Sequence, residues 1–271
     1  MKKKLMSSAI LGLGFMLVAP AALAADTQGK IEFGIKTDPG TDVILPDTNP
    51  PVVVTPDPGT TVTPGPIADG LNFSVPHLDF GTREILMEDK TYNPKALKYT
   101  EKDNASEEYY LPPTVIVRDL RGKTDGEWDI KVSAGEFIKA GTSGATAKTI
   151  QGAQLTFVSP RVFSNKERDP GSQEVTTVPA SGFTFTAPIV LTNAPADLIS
   201  ATGGAGNMQT TYMLDKESKY EVTPQGSDLV FKSNLTATSE VKGIDLKIPG
   251  GAAIDNAVYS ADITWTMTTA P

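Results

Sequence analysis

From Gly70 onward, apolar and polar residues alternate in short runs with a period of two. Leu71, Phe73 and Val75 share one parity, as do Val115 and Val117, and then Trp128, Ile130 and Val132. The same holds for Leu155 with Phe157, Phe183 with Phe185, Leu229 with Phe231, and the trio Ile244, Leu246 and Ile248. A period of two gives a sheet with one buried and one wet face. Breakers separate the runs, among them Pro112-Pro113, Asp125-Gly126, Pro160, Asp169-Pro170-Gly171 and Pro249-Gly250-Gly251. Only Lys90–Lys102 mixes its periods, and Pro94 limits it to a short helical turn. The pattern predicts an all-β chain. Its fold is a β-sandwich of two packed Ig-like or jelly-roll-like sheets, or a pair of smaller sandwiches.

The last run alternates most cleanly. Tyr259, Ala261, Ile263, Trp265 and Met267 fall on one face, and Ser260, Asp262, Thr264, Thr266 and Thr268 on the other. Threonine suits a half-exposed strand. So apolar a face predicts a final strand inserted against a sheet, and truncation there is expected to unfold the domain.

The front of the chain reads differently. Lys2, Lys3 and Lys4 precede an apolar stretch from Leu5 to Val18, and Ala22-Leu23-Ala24 is a small-x-small site. These features predict a secretory signal peptide over 1–24. Within 25–37, Lys30–Ile35 alternates as a short strand. Residues 38–69 follow as a Pro-, Asp- and Thr-rich linker. Because proline fixes φ and removes a donor, Asp38–Pro66 is expected to be extended and solvated, with no ladder running through it. The β domain then occupies 70–271.

Charge and cysteine content narrow the function. The 24 basic and 32 acidic residues give a net charge of −8. Removing the first 24 residues leaves 21 basic against 32 acidic, a net charge of −11. Such a balance argues against nucleic acid and anionic lipid as partners. Without cysteine there is no disulfide, no thiolate metal site and no lipid attached to cysteine, so the core must hold the fold.

Catalytic motifs are poorly represented. His77 is the single histidine, and nothing near it in sequence suggests the base of a triad. Asp79-Phe80-Gly81 spells a kinase signature without its companions, and reads as a strand end with a turn at Gly81. The acidic stretch Asp119–Asp129 carries Arg121 and Lys123 where a calcium loop needs oxygen ligands, and reads as a hairpin turn. Glu107 and Glu108 are neighbours that face opposite ways on a strand, so they do not flank one sugar. Gly203-Gly204-Ala205-Gly206 lacks the lysine of a phosphate cradle and reads as a flexible loop. Neither a cofactor nor a metal is expected.

The two tryptophans remain. Trp128-Asp129-Ile130 and Trp265-Thr266-Met267 share one pattern, an indole, a polar residue and a long or branched aliphatic. In-phase apolar neighbours favour packing in the core. An exposed aromatic–aliphatic patch that binds a wall polymer is the competing reading.

On these residues the chain resembles the WxL-domain family of Gram-positive cell-surface proteins. The first motif lies within GEWDIKVSAGEF and the second within YSADITWTMTTAP. A signal peptide, a KIEF strand, an Asp-Pro-rich linker and LNFSVPHLDFG precede them in that order. The sequence departs from the family pattern at both third positions, where Ile130 and Met267 replace leucine. The resemblance implies a non-enzymatic secreted protein attached non-covalently to cell-wall peptidoglycan. Trp128, Ile130, Trp265 and Met267 are then the candidate binding residues. It also implies other WxL-type and WxL-interacting surface proteins as partners. The alternative is a structural or adhesive subunit that binds other surface proteins or host matrix ligands.

Overall fold

In the strand Thr114–Asp119, Val115 and Val117 turn to one side and Ile116 to the other, and all three are buried. This strand lies in the six-stranded sheet at the centre of the computed structural model. The structure describes residues 31, 42–45, 48, 52–62, 70–122, 127–168, 175–178, 182–215, 220–225 and 228–269. Side chains are described for all of these except 62, 165–168, 175–178, 220–225 and 228–233. The expected signal peptide lies outside the described residues, and so does the KIEF strand apart from Ile31.

The central sheet runs Val175–Val178, Pro160–Arg168, Met208–Leu214, Thr114–Asp119, Leu71–Pro76, Thr61–Val62. Two four-stranded sheets share a core with its first face. One, the tryptophan sheet, has the order Phe183–Phe185, Ala196–Ala201, Trp128–Ala134, Ile263–Thr269. The other has the order Ile189–Val190, Gln154–Phe157, Ile244–Ile248, Lys90–Tyr92. Phe73, Val117 and Tyr212 from the central sheet meet Ile130 and Leu198 from the tryptophan sheet, and Phe157 and Ile244 from the other. Pairing among the described strands is antiparallel, and none of the sheets closes into a barrel. The β-sandwich expected from the period of two is therefore present.

The second face of the central sheet is also covered, which a strict rule of one buried and one wet face does not anticipate. Ile116, Phe163 and Met213 pack against Tyr99, Leu111, Val43, Leu45 and Val54. These come from a further four-stranded sheet, Val43–Ile44, Val53–Pro56, Leu97–Glu101, Asn104–Leu111. Two of its strands lie in the proline-rich stretch, so the expectation that no ladder runs there is corrected. The reason is that the valines and Leu45 carry apolar surface, while proline is kept where it costs little. Pro56 pairs Tyr99 on one side and stands beyond Val54, the last residue that Val43–Ile44 pairs. The Gln209 side chain stitches the segment down. Its Nε2 donates to the Ile44 carbonyl (3.1 Å) and its Oε1 accepts from the Ile44 N–H (3.3 Å). Outside, Lys102 pairs with Asp42 (2.5 Å) and Thr55 Oγ1 donates to the same carboxylate (2.9 Å).

Three smaller expectations also change. Lys90–Lys102 forms the strands Lys90–Tyr92 and Leu97–Glu101 and no helical turn; the single 3₁₀ turn among the described residues is Gly144–Thr146. The Asp119–Asp129 stretch is not a hairpin, because the strands on either side belong to different sheets and the chain crosses between layers there. Arg121 instead folds back on the buried Asp119 through Nε (2.9 Å) and its terminal nitrogen (2.6 Å). The final alternating run is split into Tyr259–Ser260 and Ile263–Thr269, with 261–262 outside both strands.

Candidate functional site

The two motifs lie side by side. Strand Ile263–Thr269 pairs with Trp128–Ala134 in one unbroken register from Ile263↔Ala134 to Thr269↔Trp128. Met267 is directly opposite Ile130, so the third positions of both motifs are mated across the ladder. Ile130 is fully buried and Met267 is 6% exposed. An aliphatic side chain of roughly leucine size satisfies both positions, which accounts for the tolerance of isoleucine and methionine there.

Trp128 is a core residue at 2% exposure. Its Nε1 donates to the Gly206 carbonyl (3.2 Å), and Phe183 packs at 6.2 Å in a tilted arrangement. The glycine-rich loop thus has a definite task. A Cβ on Gly206 would lie 2.8 Å from Trp128 Cδ1 and Cε2 and closer still to Nε1. Only glycine lets this backbone lie on the indole. The spacing of glycines in sequence shows the loop but not the tryptophan beneath it.

Trp265 differs. It is partly buried, stacks on Phe157 at 5.8 Å with 25° between planes, and lines a groove of about 970 Å³. Leu155, Leu246, Ile248 and Ile263 form the floor with it. Two irregular segments form the walls, one at 77–89 and the other at 249–258. The first wall is pinned at its root around Asp79-Phe80-Gly81, although the preceding strand ends at Pro76 and not at these residues as expected from sequence. Gly81 has φ +70, its N–H donates to Asp79 Oδ1 (2.8 Å), and Lys95 pairs with the other oxygen (3.0 Å). The Gly81 N–H first, and then Lys95, hold the Asp79 carboxyl below its ordinary value. Arg83 stiffens the wall by donating from Nε to the Phe80 carbonyl (2.5 Å) and pairing with Glu240 (2.6 Å). Its far end is tied by Asp89, which accepts from the Gly250 N–H (2.9 Å) and pairs with Lys247 (3.2 Å). At the second wall, Lys139 and Lys148 both pair with Asp255 and lower its pKa.

The outer face of the tryptophan sheet is polar. Thr264, Thr266 and Thr268 are exposed, and opposite them stand Ser133, Lys131 and Asp129. Thr268 Oγ1 donates to Asp129, and Lys131 pairs with Asp197 on the next strand (2.8 Å).

Of the four residues singled out in the sequence, three are therefore internal to the sheet and one, Trp265, faces a groove. Comparison with known families decides the assignment. The family model for the WxL domain, described as surface cell wall-binding, matches residues 21–271. The chain belongs to the WxL family. Neither the curated proteins nor the solved structures yield a match. As a WxL protein it falls in a surface-associated, cell-wall-binding family, and no helix among the described residues is long and apolar enough to cross a membrane. For this WxL chain the match spans the proline-rich stretch as well as the β domain. Among the described residues no cluster of His, Asp or Glu could hold a metal ion.

Proposed function

We propose that this chain is an exported, non-enzymatic surface protein that attaches non-covalently to peptidoglycan through its β domain. The observation that carries the reading is the WxL match over residues 21–271, in a family described as cell wall-binding. The geometry supports a division of labour within the motifs. Trp128, Ile130 and Met267 act from inside, where they hold strands Trp128–Ala134 and Ile263–Thr269 in register. The wall contact falls to the outer face of the same ladder, where Thr264, Thr266, Asp129 and Lys131 present hydroxyls and charges from one flat surface. Peptidoglycan sugars and peptide bonds offer many hydrogen-bond partners to such a face.

The test is retention of the purified protein on isolated sacculi. Wild type is expected to stay bound. Thr264→Val with Thr266→Val, which removes two exposed hydroxyls at nearly constant shape, is expected to lower retention while circular dichroism stays unchanged. A folded Trp265→Ala variant is expected to be retained. Failure of the wild-type protein to bind sacculi would remove the function.

A further inference from the structure

The groove beside Trp265 goes beyond wall attachment. Its rim is apolar and unusually exposed. Ile85 and Val258, one on each wall, are 54% and 72% exposed. Large apolar side chains gathered around one concavity mark an interaction site, whereas scattered ones do not. The groove's size is at the upper end of the range of about 300–1,000 Å³ for ligand sites.

Charge narrows the occupant. Glu84, Glu88 and Asp262 line the groove, and among the described residues none of the three holds an ion pair. Asp79 and Asp255 are already answered by lysines, and the Arg83 charge is committed to Glu240. Lys90 is left as the one lining Lys or Arg with no carboxylate partner among the described residues, so the groove carries a negative surplus. An anionic wall polymer is disfavoured there.

We infer that this groove docks an extended polypeptide segment of a partner protein, with alternating apolar side chains flanked by lysine or arginine. The apolar side chains of such a segment would cover the floor and rim, and its cations would meet Glu84, Glu88 and Asp262.

The probe is a library of random octapeptides displayed on phage, panned on the wild-type protein after subtraction on Val258→Asp. Val258 is solvent-exposed, so its substitution leaves the fold intact. The expected result is a consensus of alternating apolar residues with Lys or Arg. A synthetic peptide of that consensus should shift tryptophan emission saturably, since Trp265 lines the groove and Trp128 is buried. It should bind at least tenfold more weakly to Ile85→Asp and to Glu84→Lys with Asp262→Lys. Sacculus retention of all these variants should equal wild type. No enrichment, or a consensus without basic residues, would overturn the inference. So would competition for Trp265 by soluble muropeptides, or loss of sacculus retention in Val258→Asp. Either of those would assign the groove to the wall and leave the wall reading standing.

Discussion

Substituting Gly206 by alanine tests whether the glycine-rich loop exists to seat Trp128. The added Cβ would sit 2.8 Å from two indole carbons, so either the ring or the loop must move. Movement breaks the bond from Nε1 to the Gly206 carbonyl and leaves a donor inside a residue that is only 2% exposed. A buried donor without a partner costs about 1–3 kcal/mol. Overpacking a tight site adds about 1–3 kcal/mol. The expected destabilisation is therefore about 2–6 kcal/mol. With a urea slope of about 2–3 kcal/mol/M, the unfolding midpoint should fall by about 0.7 M or more. Urea titration followed by circular dichroism reads this directly. Trp128→Phe provides the control, because a smaller ring without an N–H should relieve the clash. The double variant should be less destabilised than the sum of the singles by about 1 kcal/mol or more. A Gly206→Ala protein with an unchanged midpoint would refute the argument, and so would strict additivity with Trp128→Phe.

Three further outcomes follow from the packing. Met267→Ala should cost about 2–5 kcal/mol in urea unfolding, while Met267→Leu should cost less than about 1.5 kcal/mol, because volume at the site opposite Ile130 is what matters. Gln209→Ala removes both bonds to the Ile44 backbone, so limited proteolysis should cut residues 42–60 earlier than in wild type, with the rest of the domain resistant. Asp79 and Asp89 titrate below their ordinary carboxylate value in the folded protein, Asp79 mainly through the Gly81 N–H and Asp89 mainly through the Gly250 N–H. Their contribution is fully present above the unfolded value of 3.8 and is lost as pH falls through the lowered folded values. Hydrogen-exchange protection in 77–89, taken relative to the intrinsic rate at each pH, should therefore fall below about pH 4 in wild type, and less so in Asp79→Asn.

Much of the fold was legible because alternation reports burial directly. Leu71, Phe73, Val115, Val117, Ile130, Leu155 and Ile244 all lie in the first core, on the strands their spacing predicts. The method fails where both faces are covered. The strand Met208–Leu214 is buried at every position but the first, yet it reads MQTTYML, because Gln209 and Thr211 face a polar seam rather than water. The proline-rich strands were hidden for another reason: they bury one face only, and their few valines were outweighed by the prolines around them. At the site, Trp128 and Trp265 have indistinguishable local patterns. One is roofed by a glycine 78 positions away and the other is left open between two loops. Those are long-range facts that no window of a few residues contains.

The seating of residues 42–62 changes what the protein has to offer as a reach. As a free polyproline spacer, that stretch would extend about 60 Å at about 3.1 Å per residue. With Ile44 bonded to Gln209, and Val43, Leu45 and Val54 packed on Ile116, Phe163 and Met213, the described residues of that stretch lend none of that distance. A chain cut at Gly70 would not merely be shorter; it would lay open an oily underside and would be expected to aggregate.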